Sequence, residues 1–323
     1  MENIDKIQVS LVKYDKTYGN TYYEFNVKGN NIDYIVVNTL RRTIMSFVPI
    51  FAFTEFTFEK NTSVFNNNYI KLRLQNLPIY SINNENIYYN KENKKENKES
   101  YDSDDEFTNN PDVTEQSVLT DQMTMYINFT NETKENKPVT TNHAKFYYNE
   151  KEIKSPYKTP IPIIDLQPSQ QIALSVKSSL GIEDHNAIFS PVTICAYKQI
   201  NDHEFNFFLE SRGQLTEQRI ISVAIDNIIK RMNDINLLLK DNNNENIEGI
   251  ININNEDHTL GNLLSRGLQL HDDISFAGYK MHHPLSKQVE IHYKMKTKKS
   301  IYDTMNSVIE YYTKIYTFIK KQI

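Results

Sequence analysis

Three groups of residues in this chain have types and spacing that could support chemistry. Asp102, Asp104, Asp105 and Glu106 offer the oxygen ligands that hard cations take, and with a metal in a rigid pocket they would suit a phosphoryl-transfer enzyme. His271, His282, His283 and His292 offer imidazoles, but no carboxylate or thiolate spacing completes a metal set around them. Arg41 and Arg42 stand side by side in one amphipathic stretch and Arg266 stands in another. Such guanidinium groups serve as solvated surface charge or as anchors for a protein partner. The single cysteine, Cys195, lies in an apolar run and reads as a small buried hydrophobe; it excludes an internal disulfide or a Cys-based zinc site. The chain contains no Gly-rich phosphate loop, nucleophile elbow or paired-His metal helix.

The elements that hold these groups separate them. The acidic run falls within 83–116, a stretch of Asn, Lys, Glu, Asp and Ser with few apolar residues, which cannot offset the entropy of ordering and is expected to be a flexible insertion. Its charges are then solvated, and a metal-dependent nucleic-acid-processing enzyme built on this insertion is the alternative reading. The arginines belong to better-defined elements. Asp257 and Thr259 are good N-cap types, and Leu260, Leu263, Leu264 and Leu268 follow on one helical face. A turn at Phe276–Leu285 and a half-buried strand through Val289, Ile291, Tyr293 and Met295 complete a helix, turn and strand.

The same unit occurs near the other end of the chain. Asp33, Asn38, Leu40, Arg42 and Ile44 repeat the mutual spacing of Asp257, Asn262, Leu264, Arg266 and Leu268, and Phe51-Ala52 echoes Phe276-Ala277. Two such units can bury their apolar faces on each other as an internal pseudo-dimer, with Leu40, Ile44, Leu260, Leu264 and Leu268 in its core. A hairpin is expected before the first helix, through Ile7–Leu11 and Tyr23–Val27. β-rich stretches follow at Phe53–Arg73, Met123–Phe129, Ile172–Val176 and Val192–Ile194. A long helix over Leu215–Lys240 and another over Ser300–Ile323 end the two halves, each able to pack on its own unit.

With 323 residues the chain can bury a sizeable core in two or three domains. Net charge is -5, so no basic surface points to nucleic acid as a direct ligand. No secretion signal and no apolar run of membrane-spanning length is present, which predicts a soluble intracellular protein.

The stretches Asp257–Leu264, Phe276–Tyr279 and His283-Pro284-Leu285 resemble the small alpha-like subunit of multisubunit DNA-directed RNA polymerases, the archaeal L and eukaryotic eleventh-subunit family. The stretches Asn38–Ile44, Val48-Pro49 and Asn61–Val64 resemble the larger alpha-like subunit, the archaeal D and eukaryotic third-subunit family. Leu166, Gln170, Gly181, His185, Ala187, Ser190, Pro191 and Glu210-Ser211 do so more weakly. Together they cover nearly the whole chain outside the polar insertions, as in the fused subunit of large cytoplasmic DNA viruses. The resemblance implies an α+β fold with a larger alpha-like dimerisation domain over 1–60 plus 206–240. It places an inserted β-rich subdomain over 61–205, a linker at 241–246 and a small alpha-like domain over 247–323.

It further implies a non-catalytic assembly platform with no cofactor and no catalytic residues of its own. Its partners would be the largest and second-largest polymerase subunits and small subunits, with DNA reached only through the complex, and with no membrane contact and no homodimer. Arg41 and Arg42 would contact the second-largest subunit, with Arg266 their pseudo-symmetric counterpart. The expected location is the site of transcription: host cytoplasm or virion if the source is viral, otherwise the nucleus. Many relatives carry a cysteine cluster for zinc or iron–sulfur in the inserted domain, which one cysteine cannot supply, and Ser169 stands where the family usually has Gly.

Overall fold

The computed structural model describes residues 7–17, 20–80, 122–240, 246–281, 283 and 287–323, which form two compact units. The acidic run Asp102, Asp104, Asp105 and Glu106 with the rest of 83–116, residues 241–245 of the linker read over 241–246, and His282, Pro284 and Leu285 lie outside the described residues.

The first unit comprises 1–45, 192–211 and 216–323. Its larger sheet pairs β1 (Gln8–Thr17) with β2 (Asn20–Lys28), β2 with β11 (Glu204–Ser211), and β11 with β10 (Val192–Asn201), all antiparallel. Strict alternation along β2 and β11 buries Phe25, Val27, Phe205, Phe207 and Leu209, and the Phe25 and Phe207 rings stack across the pair at 5.1 Å. The smaller sheet runs β12 (Glu248–Asn254), β14 (Gln288–Met295), β13 (Ile274–Lys280). Four helices belong with these strands: α1 (Tyr34–Phe47), α3 (Glu217–Lys240), α4 (His258–Gln269) and α5 (Ile301–Gln322).

The second unit comprises 46–191 and 212–215. A five-stranded sheet orders β3 (Ile50–Asn61), β9 (Gln171–Gly181), β4 (Met123–Thr130), β6 (Ala144–Tyr148) and β7 (Lys151–Ile153). β5 (Lys137–Thr140) and β8 (Pro162–Leu166) form a separate pair. Its core gathers Phe51, Phe53, Ile127, Phe146, Ile164, Leu174 and Val176 with Ile70 and Leu74 of α2 (Asn67–Gln75).

Four sequence expectations change. The inserted unit begins at Ser46 rather than at 61, because β3 pairs with β9 from Ile50 to Asn61 and so belongs to that sheet; it ends at Pro191. Tyr69, Lys71 and Arg73, read as strand alternation, lie in α2. The Asn66 side chain caps this helix by accepting from the Tyr69 N–H at 2.9 Å, and Ile70 and Leu74 supply its buried stripe. Phe276–Lys280, read as a turn, is strand β13 paired along β14. The Phe-Ala echo also fails as a repeat of environment, since Phe51 is buried while Phe276 lies exposed on an edge strand.

Candidate assembly interface

The two repeated helices begin alike. In α1 the Asp33 carboxylate accepts from the Ile35 and Val36 N–H groups, both at 3.0 Å; in α4 Asp257 Oδ1 accepts from the Thr259 N–H at 2.9 Å. Each aspartate thus satisfies donors that the first turn leaves open, and its negative charge suits the helix N-terminus. One oxygen of each remains directed elsewhere, and an arginine from the other half comes to it. Arg42 Nη2 donates to Asp257 Oδ2 at 2.9 Å while Arg42 Nε donates to Thr259 Oγ1 at 2.7 Å. Arg266 Nε stands 3.6 Å from Asp33 Oδ2, an ion pair too long to be a hydrogen bond. The N-terminus of each helix is therefore tied to the later part of the other, which runs α1 and α4 antiparallel as a pseudo-twofold pair.

The long helices extend the pairing. Tyr316 of α5 donates its hydroxyl to the Val36 carbonyl of α1 at 3.1 Å, and both residues are buried. Lys320 of α5 reaches Asp226 of α3 at 2.5 Å, and Asn236 of α3 donates to Asn306 of α5 at 2.7 Å. Arg231 of α3 and Glu256, one residue before the α4 cap, form a buried ion pair, with Arg231 Nε 3.3 Å from Glu256 Oε1. The sequence let each long helix pack on its own half; both also bond to the opposite one.

Charge around Asp257 is balanced in favour of the anion. Burial works to raise its pKa, but the nearby Arg231 charge and the bonds from Arg42 and Thr259 outweigh it and hold the carboxyl below its ordinary value. Burial pushes the Cys195 thiol up to about 12 against the opposing Arg41 charge, which leaves it a neutral packing residue.

Among the sequence-selected residues, Leu40, Ile44, Leu260, Leu264 and Leu268 are all buried. Arg42 and Arg266 enter the crossing pairs with roughly two fifths of their side chains exposed, 42% and 40%. Arg41 bonds within its own helix, to Asn38 Oδ1 at 3.0 Å and to Met45 Sδ at 3.2 Å. Sequence reasoning missed Arg231 and Glu256. A signal existed: Arg231 interrupts the apolar stripe of α3 between Ile228 and Ile235. Among the described residues no group of three or more His, Cys, Asp or Glu could hold a metal, and a single buried cysteine does not fit the family's cluster. Among them, too, no helix is long and apolar enough to cross a membrane.

These features define an α+β chain in which two related helix–strand units pair internally, with a β-rich unit inserted in the sequence of the first. Two family profiles, each described as the RNA polymerase Rpb3/Rpb11 dimerisation domain, match residues 26–232 and 248–322. The chain belongs to this family and carries its two pairing partners in tandem. It is similar to an Acanthamoeba polyphaga mimivirus protein provisionally named a DNA-directed RNA polymerase subunit, 25% identical over 311 residues covering 90% of this chain and 87% of that protein. It is also similar to the Dictyostelium discoideum DNA-directed RNA polymerase II subunit rpb11, 56% identical over 36 residues, 11% of this chain and 30% of that one.

Proposed function

We propose that the chain is the assembly platform of a DNA-dependent RNA polymerase, on which the two large catalytic subunits are positioned. The observation that carries this reading is the pair of crossing contacts, Arg42 to Asp257 and Arg266 to Asp33, which fixes one pairing geometry within a single polypeptide. A rigid pseudo-dimer suits a platform because it presents two related but non-identical outer faces, one for each large subunit. Fusion holds the halves at high effective concentration, so pairing precedes assembly.

In this reading Arg41, on the outer part of α1, anchors the second-largest subunit, while Arg42 and Arg266 combine internal pairing with contact at the rim. The test is affinity purification of the tagged chain from its native source, with identification of the co-purifying subunits. Arg41→Glu should leave the far-UV dichroism of the isolated chain unchanged and lower recovery of the second-largest subunit at least about tenfold, as loss of an arginine hot spot does. Undiminished recovery removes Arg41 from the contact, and absence of both large subunits from the wild-type eluate overturns the platform.

A further inference from the structure

The crossing pairs have a property that a two-partner protein must overcome. Laying Asp257 on Asp33 lays Arg266 on Arg42, so each half carries the same aspartate and the same arginine at the same separation. Two copies of the larger half could satisfy Arg42 with Asp33 of the other copy, and two small halves could satisfy Arg266 with Asp257. The contacts that fix the geometry therefore do not choose the partner.

Glu256 breaks the repeat. In the same alignment it falls on Ile32, which is fully buried at 0% exposure. The long helices align by their buried faces when Ile301 is laid on Glu217. Thr304, Met305, Val308, Ile309, Tyr312, Tyr316 and Ile319 then fall on Ile220, Ile221, Ala224, Ile225, Ile228, Met232 and Ile235, all buried. The same alignment lays Lys320 and Glu310 on Asn236 and Asp226; Lys320 bonds Asp226 directly, while on the equivalent side Asn236 bonds Asn306, which in turn donates to Glu310. Under it Ile315 falls on Arg231. One side of the pairing surface thus sets Arg231 against Glu256, and the equivalent side holds Ile315 and Ile32.

We infer that the buried Arg231–Glu256 pair makes the two halves select each other over a second copy of themselves. Pairing of two larger halves would bury Arg231 against Ile32 of the other copy, and pairing of two small halves would bury Glu256 against Ile315. The first leaves Arg231 only the repeated aspartate, whose counterpart Asp257 stands 3.9 Å from it, and the second leaves Glu256 without its arginine; both are disfavoured in a buried site, whereas the correct pairing sets the two charges directly on each other. A buried polar contact that adds little stability yet dictates the partner is an established use of such groups.

This inference rests on the pseudo-dimer within the proposed platform, and its test separates the two. A protease site is placed within 241–245 of the full chain, the folded protein is cut, and the fragments are unfolded together, refolded and weighed by native mass spectrometry. The wild-type pair should return only as one larger fragment with one small fragment. In the double variant Arg231→Met, Glu256→Leu, roughly half of the larger fragments should refold as pairs with each other, as random choice between equivalent surfaces gives. In the uncut chain that double variant should keep the wild-type denaturation midpoint, while Glu256→Leu alone should lower it. Exclusive one-to-one pairing of the double variant overturns the inference and leaves the platform intact, as does homotypic pairing by the wild type. A double variant as unstable as Glu256→Leu reduces the pair to a structural contact and overturns it equally.

Discussion

Replacing Gly267 by alanine sets two opposed effects of known size against each other. In isolation the change should stabilise α4, since alanine is favoured over glycine inside a helix by about 1 kcal/mol. The helix is not isolated. A Cβ at Gly267 would lie 2.3 Å from Val308 Cγ1 and 2.7 Å from Tyr312 Cε2 of α5. Val308 and Tyr312 are 0% and 1% exposed, so neither has open space to turn into. Overpacking of an enclosed contact costs about 1–3 kcal/mol, and a contact this short belongs at the upper end, which leaves a net loss of about 2 kcal/mol. The chain has no tryptophan, so the assay is far-UV dichroism in urea together with native-state hydrogen exchange of α4 and α5 amides. Val308→Ala removes the obstructing methyl groups, and added to Gly267→Ala it should recover at least about 1 kcal/mol relative to additivity. If Gly267→Ala proves neutral or stabilising, the close approach of α4 to α5 is wrong.

The remaining predictions concern the pairing surface and its surroundings. Asp257→Ala should cost more stability than Asp33→Ala, because Asp257 accepts from Thr259 twice and from Arg42, whereas Asp33 adds only a 3.6 Å ion contact to its cap; the reverse order by urea denaturation would contradict the geometry. Because the folded pKa of Asp257 is depressed, its stabilisation is present above the ordinary carboxylate value and is lost as pH falls through the lower folded one. The wild-type denaturation midpoint should therefore fall more steeply than that of Asp257→Asn below about pH 4. Leu264→Ala deletes a side chain of 0% exposure on the buried face of α4 and should cost about 2–5 kcal/mol, read from the same urea midpoint. Cys195 should react with a thiol reagent at pH 8 on the order of 100-fold more slowly in the native chain than in urea, since burial keeps it protonated and covered.

The amphipathic helices were legible because burial follows their period: Leu40 and Ile44 of α1 and Leu260, Leu263, Leu264 and Leu268 of α4, placed on the apolar faces by spacing, are all buried. Helix starts were legible where a cap lies beside its helix, as Asp257 does. Short-period patterns misled. Tyr69, Lys71 and Arg73 alternate like a strand, yet they are the outward residues of a helix whose inward pair, Ile70 and Leu74, is only two residues strong. The cross-pairing was invisible for a different reason. Arg42 and Asp257 are 215 residues apart, and nothing local distinguishes an arginine that reaches across a pseudo-twofold from one that faces water. The repeat nevertheless contained the answer, because an aspartate and an arginine recurring together on two antiparallel helices must come opposite each other.

Fusion alters what such a surface has to accomplish. Separate subunits must overcome the loss of translational and rotational freedom on association, and their interface must be strong before it is selective. In one polypeptide that loss is already met by the connection, and half-exposed pairs such as Arg42–Asp257 suffice to set orientation even though each contributes little. Selectivity becomes the harder requirement, because every copy of the chain carries both surfaces and each surface has a near-replica on its neighbour. A perfectly repeated interface would allow chains to pair end on end, since any half could accept any other. Glu256 with Arg231 opposite it, and Ile32 and Ile315 at the equivalent places of the repeat, are where the repeat stops being a repeat, and that difference is buried, where a mismatched charge costs most.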